Sequence, residues 1–83
     1  MKAETTRQIL TVLKQCQPYA LPEQTLLNQV NFAIRPPIDD PNDFAELLIS
    51  LRMRKLIDYI LDDFDDSIRK WHITEAGKAL LQK

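Results

Sequence analysis

The sequence predicts a small α+β fold: a three-helix core, a two-stranded hairpin and a short C-terminal helix. Three observations carry that expectation. Apolar residues recur at helical spacing in three stretches before residue 55. From Leu56 the period changes to two, and after a polar interruption it resumes up to Ile73. Pro18, Pro36 and Pro37 fall between the periodic stretches, whereas Pro22 and Pro41 stand where helices begin. With 83 residues, 45% of them hydrophobic and 28% charged, the chain suits one domain spanning 1–83 and has no room for a second core.

The first helix is expected over about Glu4 to Gln15. Ile9, Val12, Leu13 and Cys16 lie at i, i+3, i+4 and i+7 and share a face; Pro18 stops the helix. The second begins at Pro22, whose missing N–H has no intrahelical partner in a first turn anyway, with Glu23 adding a favourable charge. Leu26, Leu27, Val30 and Ile34 form its inner face, and Arg35-Pro36-Pro37 ends it. Asp40 is the N-cap of the third helix and Pro41 its first residue. This helix runs to Arg54 or Lys55 with Phe44, Leu47, Leu48 and Leu51 inward. Asn42, Asp43, Glu46, Ile49, Ser50 and Met53 are left facing out.

Ile57, Tyr59 and Leu61 alternate with Leu56, Asp58 and Ile60, and Arg69, Trp71 and Ile73 share one side of a returning strand. The expected register pairs Ile57 with Ile73, Tyr59 with Trp71 and Asp58 with His72. The connection, Asp62-Asp63-Phe64-Asp65-Asp66-Ser67, contains no glycine, so Asp65 or Asp66 is expected to supply any left-handed residue. Thr74 caps the closing helix through Leu81. Gly77 inside that helix costs roughly 1 kcal/mol against alanine, which implies a close packing contact.

The formal net charge is −1, so the bulk basicity of a typical nucleic-acid binder is missing. The acids are concentrated: residues 39–66 carry −6, against +2 for residues 1–38 and +3 for residues 67–83. A single cysteine makes no internal disulfide, no apolar run exceeds three residues, and no signal-type stretch follows the N-terminus. A cytoplasmic protein with no membrane span is expected.

Several segments match a known pattern. Lys55-Leu56-Ile57 resembles the end of a recognition helix leading into a wing strand. Ile73-Thr74-Glu75-Ala76-Gly77-Lys78-Ala79-Leu80 resembles an "Ile-Thr-x-x-Gly-x-x-x-Leu" close, and Tyr19-Ala20-Leu21-Pro22-Glu23 with Leu26 resembles the approach to a second helix. Together they resemble the winged helix-turn-helix superfamily over nearly the whole chain. The resemblance implies duplex-DNA binding, with the third helix in the major groove and the wing along a phosphate backbone.

Three features of the residues pull the other way. Asp39, Asp40, Asp43 and Glu46 crowd the N-terminal end of the third helix, where phosphates would lie. The wing tip offers Asp62, Asp63, Asp65 and Asp66 instead of lysine or arginine. About six residues separate Ile34 from Pro41, more than the usual three or four of a helix-turn-helix. Charge therefore favours a non-catalytic binding module that docks to a protein partner, or to its own copy, through Glu46, Ile49, Arg52, Phe64, Asp65 and Asp66. The alternative is a duplex-DNA-binding regulator. In it Asn42, Ser50, Arg52 and Arg54 approach the groove while Arg69 and Lys70 hold phosphates.

Other readings fall to bland ones. The acidic turn lacks calcium-loop spacing: counting from Asp63, position six is Ile68 and position twelve Thr74, so a solvated turn is expected. His72 has no identifiable nucleophile beside it and is expected to pair structurally with Asp58. Cys16 is expected as buried packing. One histidine and one cysteine build no zinc site, and no catalytic constellation or phosphate-cradling glycine loop is present. No enzyme activity, cofactor, metal or small-molecule substrate is expected.

Overall fold

A computed structural model describes residues 2–82; Met1 and Lys83 lie outside the described residues. The elements in order are α1 (Lys2–Gln15), β1 (Leu21–Pro22), α2 (Glu23–Ala33), α3 (Pro41–Met53), β2 (Ile57–Leu61), β3 (Arg69–Ile73) and α4 (Glu75–Leu81). The strands form an antiparallel sheet of order β1-β3-β2. No described helix is long and apolar enough to cross a membrane.

The core follows the apolar periodicity. Leu26, Leu27, Val30 and Ile34 are all buried, as their spacing requires. On α3, Phe44, Leu48 and Leu51 are buried while Leu47 packs at the edge. The face of α1 is rotated from the expected one: Ile9, Leu10 and Leu13 are the buried residues, Val12 flanks them and Cys16 is only half-buried. Leu10 and Ile9 lie three and four residues before Leu13 on one face, and Cys16 falls beyond the last helical residue.

The register is as expected from the alternation. Ile57 pairs with Ile73, Asp58 with His72 and Tyr59 with Trp71. The Tyr59 and Trp71 rings lie 5.0 Å apart at 57°, a tilted arrangement favoured by aromatic quadrupoles. The sheet gains a third strand that alternation does not reveal. Leu21 and Pro22 pair with Trp71 and Lys70, so Pro22 belongs to β1 and caps α2, and the helix begins one residue later, at Glu23. Two residues are too few to show a period.

The left-handed residue lies elsewhere than expected. Within the described residues Lys55, at φ 63°, is the one non-glycine residue with positive φ, and neither Asp65 nor Asp66 adopts it. Lys55 terminates α3. Its N–H donates to Arg52 O at 2.8 Å, and Leu56 N–H donates to Leu51 O at 3.1 Å. That pair of bonds is a Schellman ending, with Leu56 and Leu51 forming its apolar contact. The asparate-rich turn avoids strain differently: Asp62 Oδ2 accepts from the N–H groups of Phe64 and Asp65, and Asp65 Oδ1 accepts from the N–H and hydroxyl of Ser67.

Gly77 has the close contact its position implies. A Cβ there would collide with the Leu56 carbonyl oxygen and lie 2.7 Å from Ile73 Cγ1. Thr74 ties the same corner, its hydroxyl donating to Lys55 O at 2.6 Å and accepting from Gly77 N–H.

Candidate nucleic-acid interface

The long connection between α2 and α3 decides how α3 is presented. Asn31 closes it in both directions: its Oδ1 accepts from Ile38 N–H at 2.9 Å and its Nδ2 donates to Ile38 O at 3.1 Å. Buried Ile34 anchors the start and the Asp40 side chain accepts from Asn42 N–H at the end. The seven extra-helical residues 34–40 thus act as a braced turn, and the length that argued against a helix-turn-helix is absorbed locally. Sequence reading missed Asn31 because an amide on a helix surface looks like any solvated residue.

With its inner face held by Phe44, Leu48 and Leu51, α3 turns a stripe of Asn42, Glu46, Ile49 and Met53 outward at i, i+4, i+7 and i+11. Met53 is 77% exposed and Ile49 44%. None of the four side chains has a hydrogen-bond or ion-pair partner among the described residues. Ser50 and Asp43 lie on a flank, lining a groove with the 34–40 connection and the start of α1. Arg54 lies on another side of the molecule, beside Arg7, Leu80 and Leu81. Asn42, Glu46 and Ile49 therefore share a face, Ser50 adjoins it beside Glu46 in the same groove, and the structure does not bring Arg54 onto it.

Three basic residues, Arg52, Arg69 and Lys70, are held by acids of the same chain. Arg52 Nε donates to Asp58 Oδ1 at 2.9 Å, and its guanidinium sits 4.9 Å from the Tyr59 ring centre. The bond holds Arg52 protonated more firmly than usual and draws Asp58 below the ordinary carboxylate range, helped by Tyr59 N–H donating to the same carboxylate. The expected Asp58–His72 pairing is correct in register, but the hydrogen bond of Asp58 goes to Arg52 instead. The arginine reaches across to the strand from the end of α3.

Arg69 and Lys70 are similarly engaged. Arg69 Nη2 lies 3.0 Å from Glu23 Oε1, with its guanidinium beside the aromatic pair, 5.8 Å from the Tyr59 ring centre and 5.6 Å from that of Trp71. The same Glu23 oxygen accepts from Trp71 Nε1 at 3.0 Å. Glu23, read from sequence as a helix-end charge, is thus the clamp between α2 and the hairpin. Lys70 Nζ lies 3.2 Å from Asp62 Oδ1. The Asp62 carboxyl falls below its ordinary range chiefly because Phe64 N–H donates to it, and that of Asp65 because Ser67 does. Phe64, at the tip between these acids, is 99% exposed. Asp65 and Asp66 lie there with it, on a different part of the surface from Glu46 and Ile49.

Three helices, a braced turn, an exposed third helix and a sheet whose long hairpin follows it make a specific arrangement. The fold is a winged helix-turn-helix. Solved structures of similar fold include the PcaV transcriptional regulator from Streptomyces coelicolor in complex with its natural ligand, with a TM-score of 0.74 and 22% identity, over 93% of this chain and 48% of that one. A MepR variant from a multidrug-resistant S. aureus clinical isolate gives a TM-score of 0.76 at 19% identity, over 94% and 51%. ZitR of Lactococcus lactis, a zinc-responsive MarR family member, gives 0.73 at 18%, over 94% and 47%. The chain spans about half the length of these structures. No protein-family model matches the sequence, and no curated protein matches it. In the winged-helix frame β2 and β3 are the wing and α3 is the third helix of the core.

Proposed function

We propose that this chain is the duplex-DNA-binding module of a transcriptional regulator, with α3 in the major groove. One observation carries the reading: the outer stripe of α3 is exposed and unpartnered beside the wing, in a fold shared with transcriptional regulators. This reverses the order that charge alone suggests. A charge sum does not show where the charges sit: Asp58, Asp62 and Glu23 are paired one for one with Arg52, Lys70 and Arg69, and the Asp40 side chain caps α3.

The same pairings set the character of the binding. Each engaged phosphate contributes roughly −0.9 to the slope of log affinity against log salt. With Arg52, Arg69 and Lys70 already paired, the expected slope is shallow, about −1 to −3. Fluorescence anisotropy of the folded chain with a labelled mixed-sequence duplex, at low and near-physiological salt, tests this. Binding at low salt that weakens along such a slope supports the reading. A folded chain that leaves the duplex free at low salt overturns it.

A second reading rests on Phe64. An aromatic ring bare to solvent among four aspartates suits a basic protein surface with an apolar recess. In that reading the wing tip docks a protein partner through Phe64, Asp65 and Asp66, and replacing Phe64 by serine abolishes capture while leaving DNA binding intact.

A further inference from the structure

We infer that the outer stripe of α3 selects duplexes by their base edges, reading a cytosine amine with Glu46 and thymine methyl groups with Ile49 and Met53. The inference rests on the DNA reading above and names the kind of sequence that reading requires.

The four stripe residues differ from what a phosphate-gripping surface would carry. None is basic, and the nearest arginine on the helix, Arg52, is turned to Asp58. Two are apolar and exposed, Ile49 at 44% and Met53 at 77%. In water such side chains gain nothing, whereas against the C5-methyl of thymine they bury surface on both partners. Glu46 accepts hydrogen bonds and donates none when ionised, so the one base edge it suits in the major groove is the N4 amine of cytosine. Asn42 has the donor and acceptor geometry for an adenine edge. The stripe runs from the first turn of α3 to its last residue, about 16 Å at 1.5 Å per residue. That length covers about five base pairs at 3.4 Å each.

The electrostatics require this division of labour. Phosphate contacts usually dominate affinity and carry no sequence information. Here Arg52, Arg69 and Lys70 are paired within the chain, Arg54 and Lys55 stand exposed past the C-terminal end of α3, and carboxylates at its N-terminal end penalise close phosphates. Discrimination therefore falls on the groove edges, and a non-cognate duplex has little to hold.

The experiment is selection of duplexes from a randomised library by the immobilised full chain at low salt, followed by affinity measurements on the enriched duplex with deoxyuridine replacing each thymidine. Uracil lacks only the C5-methyl group. Loss of about three- to fivefold in affinity at one or two thymine positions is expected, the value of one buried methyl group each. Met53→Ala or Ile49→Ala should then bind the thymine and uracil duplexes alike, a coupling that a merely structural role would not produce. Glu46→Gln should shift the selected base from cytosine to adenine, since a glutamine amide matches the adenine edge. All three positions are exposed, and circular dichroism checks that each variant is folded. Enriched duplexes that tolerate uracil everywhere, with Glu46→Gln selecting the same sequences, overturn the inference and leave the DNA reading standing. A folded chain that retains no duplex from the library overturns both, and assigns the apolar stripe to a protein partner.

Discussion

The two ends of the wing are built on different principles. At the base, Trp71 is fully buried, stacked on Tyr59 and hydrogen-bonded to Glu23 of α2, 48 residues away in sequence. At the tip, Asp62 to Ile68 are held by hydrogen bonds among themselves, and Phe64 touches solvent on nearly every side. The base is thus a continuation of the core, and its geometry depends on every helix it meets. The tip is an autonomous turn whose residues are free to vary so long as the local carboxylate bonds survive. Function is expected where the rigid part ends: the base positions the wing beside α3, and the tip is displayed.

The sharpest way to break that contrast is at Trp71. Trp71→Ala should cost about 3–5 kcal/mol through the cavity it leaves and the orphaned Glu23 and Arg69 contacts. Urea unfolding followed by circular dichroism measures this, and a loss under 1 kcal/mol would mean the base is not core. Gly77→Ala comes next, at about 1–3 kcal/mol, because the new methyl group meets the Leu56 carbonyl and the Ile73 side chain, and this outweighs the gain in helix propensity. The same unfolding curves report it.

Lys55→Gly should move stability the other way, by about 0.5–1 kcal/mol upward, since glycine adopts the positive φ of the α3 ending without the Cβ penalty. A melting temperature that falls instead would show that the lysine side chain matters more than its backbone.

The tip should respond to pH more than to packing. Asp62 and Asp65 at the tip, and Asp58 near the base, have folded-state pKa values below their ordinary range. Their contribution is present above the unfolded-state value and is lost as the pH falls below the ordinary carboxylate range through the folded one. Asp62→Asn keeps an oxygen for the Phe64 and Asp65 N–H groups yet should flatten that part of the stability–pH profile. Phe64→Ser is the smallest effect, within about 0.5 kcal/mol, because nothing in the fold rests on the ring.

Local spacing was enough to specify much of this molecule. Leu26, Leu27, Val30 and Ile34 bury together because a 3.6-residue period makes them one face, and Ile57, Tyr59, Trp71 and Ile73 align because a two-residue period leaves one register that buries the aromatics. The caps at Asp40 and Thr74 were legible for the same reason, since each acts within three residues. Charge was the part that spacing along the chain did not place. A sum over residues 39–66 sees excess acid, but the pairings of Asp58, Asp62 and Glu23 with Arg52, Lys70 and Arg69 arise only once α2, α3 and the wing are brought together. Strand β1, the Asn31 brace and the left-handed Lys55 were likewise settled by tertiary structure. Each satisfies a backbone or side-chain group whose partner is distant in sequence or whose conformation follows from where the chain must go next. The elements and their inner faces are periodic properties that a sequence carries along its length. Which charges remain free on the surface of α3 is a property of the assembled fold, because an ion pair exists only between groups that the packing places within reach.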